Sequence, residues 1–134
     1  MNRNARTQGA HHIGLTVPDL GAARRFFTEA LDFESAGEVP DYPAAFVSDG
    51  SILITLWQAE DPVRAVPFDR RTNIGLHHLA LRVENTDALA RLHHELSGRE
   101  DVFVEFEPES LGGSEMQHMM IRIPGNIRLE LIAA

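Results

Sequence analysis

The sequence predicts an α+β fold: two βαβββ modules forming a concave, barrel-like mixed sheet with helices outside. Three observations carry this. The chain has 134 residues, which fits one domain. Ala10 to Val17 (AHHIGLTV) is echoed by Leu76 to Val83 (LHHLALRV), with His12 and His78 lying 66 residues apart, about half the chain. After each copy the pattern changes from strand alternation to helical spacing, then to short strand-like runs.

The elements follow in order. Asp19 can cap a helix whose apolar stripe is Leu20, Ala23, Phe27, Ala30 and Leu31. Strand-like runs follow at Phe33 to Val39, Ala44 to Val47 and Ile52 to Trp57, broken by Pro40, Pro43 and Asp49-Gly50. In the second half Asn85 or Thr86 can cap a helix striped by Ala88, Leu89, Leu92 and Leu96. Its strands read as Val102 to Phe106, Met116 to Ile123 and Ile127 to Ile132, broken by Pro108, Gly112-Gly113 and Pro124-Gly125-Asn126. The whole of 1–134 is thus one domain, with module 1 at about 9–58, a linker at about 59–75 and module 2 at about 76–134. One helix per module covers one sheet face and leaves the other concave.

Composition narrows the function. Apolar residues make up 43% and charged residues 24%, which are globular values. The absence of cysteine excludes disulfide scaffolds, thiolate metal sites and cysteine nucleophiles. A net charge of -8 argues against nucleic acid and anionic membranes as partners. The first residues carry arginines with no apolar stretch behind them, and the run Ile52 to Trp57 is too short to span a bilayer. The expectation is a cytoplasmic protein. The sheet edges left by two half-barrel modules predict a homodimer.

Strand alternation separates the histidines. His11, Ile13, Leu15 and Val17 share one face, and His12, Gly14 and Thr16 the other. Likewise His77, Leu79, Leu81 and Val83 oppose His78, Ala80 and Arg82. The apolar faces are expected to pack on the helices, with His11 and His77 as packing or supporting residues. His12 and His78 then look into the concavity, beside small residues that leave room for a ligand. In the last strand Leu129 and Leu131 face a helix, so Arg128, Glu130 and Ile132 face the concavity. A carboxylate between two leucines is costly unless it is paired or binds a metal. His12, His78 and Glu130 make a 2-His-1-carboxylate set suited to Fe, Mn, Ni or Zn, with open positions for water or substrate. The adjacent His93 and His94 read as helix surface, and Glu105, Glu107 and Glu109 as an exposed strand edge and loop.

These residues resemble the vicinal oxygen chelate superfamily, which includes glyoxalase I, methylmalonyl-CoA epimerase, extradiol dioxygenases, fosfomycin-resistance enzymes and bleomycin-binding proteins. HHIGLTVPDL with ARRFFTEALDF resembles the family's opening strand and helix, GLHHLALRV its second opening, and IPGNIRLEL its closing turn and strand. The resemblance covers nearly the whole chain. It implies a divalent ion chelating adjacent oxygens of a small oxygenated organic substrate, with His12, His78 and Glu130 as ligands. The fourth family ligand position falls on Thr55, which is no ligand for these metals. The Met120 position usually carries tyrosine in dioxygenases and fosfomycin-resistance enzymes. The dioxygenase catalytic histidine, expected near Leu111 to Gly113, is missing. Asn126 occupies the usual turn glycine and tolerates the left-handed conformation it needs.

The candidate catalytic side chains are His118, as general acid or base, and Arg82, as partner for an anionic substrate group. Their plain alternatives are a rim hydrogen-bonder and a local ion pair. Thr16, Leu53, Thr55, Trp57, Met116 and Met120 are the candidate pocket wall, mostly apolar. The alternative function is a metal-free protein of the bleomycin-resistance type that sequesters an antibiotic or metabolite. The His-His-Glu set separates the two, because pure binders generally lack it. The sequence leaves open whether the site forms within one chain or across a swapped pair.

Overall fold

A computed structural model describes residues 4–133. Its eight strands form two separate four-stranded mixed sheets, so the predicted fold class holds but no barrel closes. The first sheet contains β1 (His12–Val17), β2 (Glu34–Val39), β3 (Ala44–Ser48) and β4 (Leu53–Gln58), in the order β1-β4-β3-β2. The second contains β5 (Leu79–Val83), β6 (Phe103–Ser110), β7 (Gln117–Ile123) and β8 (Ile127–Ala133), in the order β5-β8-β7-β6. In each sheet the first strand runs parallel to the last, and the other pairs are antiparallel. The sequence repeat is therefore a repeat of topology. It leaves β1 and β5 as edge strands.

Helix α1 (Leu20–Arg25) starts where Asp19 accepts the Ala22 N–H at 3.0 Å. Helix α2 (Thr86–Ser97) starts where Asn85, not Thr86, accepts the Ala88 N–H at 2.8 Å. The first helix departs from its predicted stripe. After Arg25 it widens into a π turn, Phe26–Ala30. The extra residue in the wide turn rotates two successive side chains inward. Phe26 and Phe27 are both fully buried, although the predicted stripe included only Phe27.

The apolar faces pack as their alternation requires. Leu15 and Val17 of β1, Leu79 and Leu81 of β5, and Leu129 and Leu131 of β8 are buried in one cluster with Leu89 and Leu96 of α2. Each such side chain contributes roughly 1.5–3 kcal/mol. The connection over 59–75 has no strand or helix. Asn126 ties it to the second module by donating Nδ2–H to the Phe68 carbonyl at 2.9 Å. Asn126 adopts φ 60, the left-handed conformation its position in the closing turn requires.

Strand β6 runs beyond its predicted end, through Pro108 to Ser110, with register shifts on either side of Phe106. Those bulges re-aim Glu105. It is not the exposed edge residue expected from sequence, because its side chain is only 10% exposed and lies among arginines. Among the described residues no helix is long and apolar enough to cross a membrane.

Candidate functional site

The histidine pairs break the alternation that placed them. Regular pairing begins at His12 in the first module and only at Leu79 in the second. Before that point successive side chains need not oppose each other. His77 and His78 turn together, with Nδ1 atoms 2.8 Å apart and rings edge-on at 5.1 Å. His11 and His12 repeat this geometry at 2.9 Å and 5.2 Å. His11 and His77 are exposed, so neither packs against a helix as expected.

A chain of contacts orients the His78 ring. Arg128 is buried in β8 and donates Nη1–H to His77 Nδ1 at 3.2 Å. Guanidinium groups only donate, so His77 Nδ1 is an acceptor. His78 Nδ1 must then carry the hydrogen of the His77–His78 contact. The ring's other nitrogen, Nε2, faces Glu130 Oε1 at 3.3 Å. Desolvation, then the Arg128 guanidinium, holds the His77 imidazole below its ordinary range, in keeping with an acceptor role.

Glu130 is the hub. Its other oxygen, Oε2, accepts from His118 Nδ1 at 2.5 Å. The His118 ring packs edge-on against Phe106 at 4.9 Å, and its Nε2 lies 3.8 Å from Glu109 Oε1. Both Glu130 and His118 side chains are nearly buried, at 12% and 13% exposure. The costly carboxylate between leucines is thus paired, and the structure brings three predicted site residues together: His78, Glu130 and His118.

His12 does not join them. It is exposed beside His11, and among the described residues no three His, Asp or Glu side chains are placed to hold a metal ion. The pair of His78 Nε2 and Glu130 Oε1 has the donor chemistry for two positions around a divalent ion. The third ligand is not supplied within the cluster.

The fourth-ligand position is closed. Thr55 pairs with Gly14 on β1 as Glu130 pairs with Ala80 on β5, so the two residues are equivalent. Thr55 is buried and accepts the indole N–H of Trp57 at 2.9 Å. A Cβ on Gly14 would stand 3.2 Å from Thr55 Oγ1 and 3.5 Å from Trp57 Nε1. The space beside Gly14, expected from sequence to admit a ligand, is taken by this Thr55–Trp57 unit. Trp57 also packs on Tyr42 and Phe46.

The remaining predicted residues scatter. Arg82 lies exposed on β5, in register with Ile132. Met120 is buried beside Glu130 on β7, and Met116 is half-buried just before that strand. Leu53 is half-buried on β4, in the other sheet. Of the predicted pocket wall, only Thr16 lines the apolar hollow of about 450 Å³ that His78 also borders. The linker supplies much of the rest of that hollow, through Pro62, Val66, Pro67, Phe68 and Ile74.

Sequence reasoning missed a cluster on the same face. Glu105 accepts from Arg128 through both oxygens at 2.9 Å, and from Arg122 Nε at 3.0 Å. These guanidinium groups, Arg128 first, hold the Glu105 carboxyl down at about 2. The signal was present: Arg122 and Arg128 occupy facing positions of β7 and β8, on the side where Glu130 points.

Comparison with known proteins agrees with this architecture. A domain of the Frankia sp. EAN1pec glyoxylase/bleomycin resistance protein/dioxygenase type superposes with a TM-score of 0.79 at 27% identity, covering 96% of this chain and 98% of that one. The fosfomycin resistance protein FosX from Listeria monocytogenes shares the fold, with a TM-score of 0.75 at 16% identity over 96% of this chain and 94% of its own. A 2-epi-5-epi-valiolone epimerase from Actinomyces sp. is 27% identical, over 91% of this chain and 77% of its own length. The family model for the Glyoxalase/Bleomycin resistance protein/Dioxygenase superfamily matches residues 9–131, and the chain belongs to that superfamily.

Proposed function

We propose that this chain is a divalent-metal-dependent enzyme acting on a small oxygenated organic substrate, with His12, His78 and Glu130 as ligands. One observation carries the reading. His78 Nε2 and Glu130 Oε1 face each other at 3.3 Å, with the His78 ring oriented at Nδ1 by Arg128 through His77. Metal-binding histidines typically fix their ring by donating the other N–H in this way. When bound, the ion would act as a Lewis acid on oxygens of the substrate.

The protein's own groups do the rest. His118 steadies Glu130 through Nδ1 and keeps Nε2 to take up or return a substrate proton. Arg82 offers a cation on the concave side of β5. The relative named as an epimerase favours proton transfer at carbon as the reaction class. His12 completes the set from a second copy of the chain, since β1 and β5 are edge strands and the chain's own cluster lacks a third ligand.

The same missing ligand supports a second reading, a metal-free binding protein. Thermal melts with Mn(II), Ni(II), Zn(II) and anaerobic Fe(II), on wild type and Glu130→Ala, separate the two. The enzyme reading expects at least one ion to raise the wild-type midpoint and leave the variant unmoved. If no ion shifts the wild type and elemental analysis finds none bound, the binding-protein reading replaces it.

A further inference from the structure

Beside the His78–Glu130 pair lies a cationic pocket of about 270 Å³ whose lining includes Arg70, Arg71, Arg122 and Arg128 against only Asp69 and Glu105. The excess of positive charge is unexpected in a chain of net charge -8. It also gathers four of the 12 basic residues into one hollow.

Neither acid neutralises it. Glu105 is shared by three guanidiniums, with Arg70 Nη1 at 3.5 Å completing the set formed by Arg122 and Arg128. Asp69 spends Oδ1 on the Arg71 backbone N–H at 2.8 Å, in a turn that presents Arg70 and Arg71 to the hollow. Arg122 also lies over the Phe103 ring at 4.6 Å, which fixes its plane. Its side chain is 38% exposed and Arg70's is 32%, so both retain donors that open to the pocket.

The pocket borders the apolar hollow, and Phe68, Asn126 and Arg128 line both. Arg128 and Glu130 point the same way along β8, roughly 7 Å apart. We infer that this pocket binds the anionic end of the substrate, a carboxylate or phosphate, while the apolar hollow takes its body and the His78–Glu130 pair its reacting oxygens. The assignment rests on the reading that this concave face holds the substrate. Fork-shaped guanidiniums suit both anions, which present paired oxygens.

Calorimetry with phenyl phosphate, benzoate and benzyl alcohol, all in EDTA, tests it. The two anions are expected to bind at millimolar concentration or better, more weakly as salt is raised, with benzyl alcohol at least about tenfold weaker. The tighter anion identifies the group. The double variant Arg70→Gln/Arg122→Gln, which leaves Arg128 to hold Glu105, should lose about tenfold or more in anion affinity. Arg71→Gln serves as the more exposed control if the double variant misfolds by circular dichroism, and should weaken both anions in the same direction. Glu130→Ala should keep anion binding, so a failure of the metal reading leaves this result standing. Absence of anion binding to wild type, or unchanged affinity in folded arginine variants, would overturn the inference.

Discussion

His118 Nδ1 and Glu130 Oε2 meet at 2.5 Å across the β7–β8 pair, while the other oxygen of Glu130 is left to His78. The carboxylate is thereby held from one side and offered on the other. The same logic applies to His78, held at Nδ1 by His77 and offered at Nε2.

These supports should be worth as much as groups that orient metal ligands elsewhere. His118→Ala and His77→Ala each remove a holding contact without removing a ligand. Divalent-ion affinity, measured by calorimetry, is expected to fall about 10–100-fold in each, with the fold retained. Unchanged affinity in both would mean that neither ring positions a ligand.

Glu105 and Arg128 form a two-pronged pair buried at 10% and 9% exposure. Replacing Arg128 by methionine removes both prongs and leaves the carboxylate to Arg122 and Arg70, and should cost about 1.5–3 kcal/mol in chemical denaturation at neutral pH. The pH dependence follows from the folded value of about 2 against an ordinary value of 4.5. A lowered carboxyl stabilises the fold above its unfolded value and loses that contribution as pH falls from about 4.5 through 2. Glu105→Gln should therefore be less stable than wild type at pH 7 by on the order of 3 kcal/mol, with the gap narrowing through that window.

Gly14 marks the place where Thr55 and Trp57 fill the equivalent of the Glu130 position. Gly14→Ala brings a methyl to 3.2 Å from Thr55 Oγ1. Thr55 Oγ1, which accepts the indole N–H, must give by a few tenths of an ångström, so Trp57 emission should change, and stability should fall by about 1–3 kcal/mol. Identical emission and stability would show that the space beside Gly14 is open.

Phe26 and Phe27 show where the sequence was legible and where it was not. The predicted stripe took Phe27 and not Phe26, which lies at its edge in a regular helix, and the π turn over Phe26–Ala30 leaves no periodic trace in the sequence. Each Phe→Ala should cost about 3–5 kcal/mol in denaturant unfolding. A variant of either that unfolds like wild type would contradict its full burial. The repeat, the caps Asp19 and Asn85, and the faces of β1, β5 and β8 were all readable, since alternation and capping are local rules. The histidine pairs were not, because alternation fails where pairing has not begun. Glu105 was misplaced for a related reason: the bulges that turn it inward depend on pairing with β7. His12 illustrates a different limit, since its alternation face was read from sequence but its place relative to the second sheet is set by tertiary arrangement.

In the proposed site one divalent ion is held by His78 and Glu130 of one chain and His12 of a second. Metal stoichiometry of a purified heterodimer pairing His12→Ala with Glu130→Ala tests it most directly. Each homodimer lacks a ligand at every site and should bind no Mn(II) or Ni(II). The heterodimer regains one complete site and loses every ligand mutated at the other, so it should bind half the wild-type amount. A heterodimer as empty as its parents, beside a wild type that binds fully, would contradict the shared site.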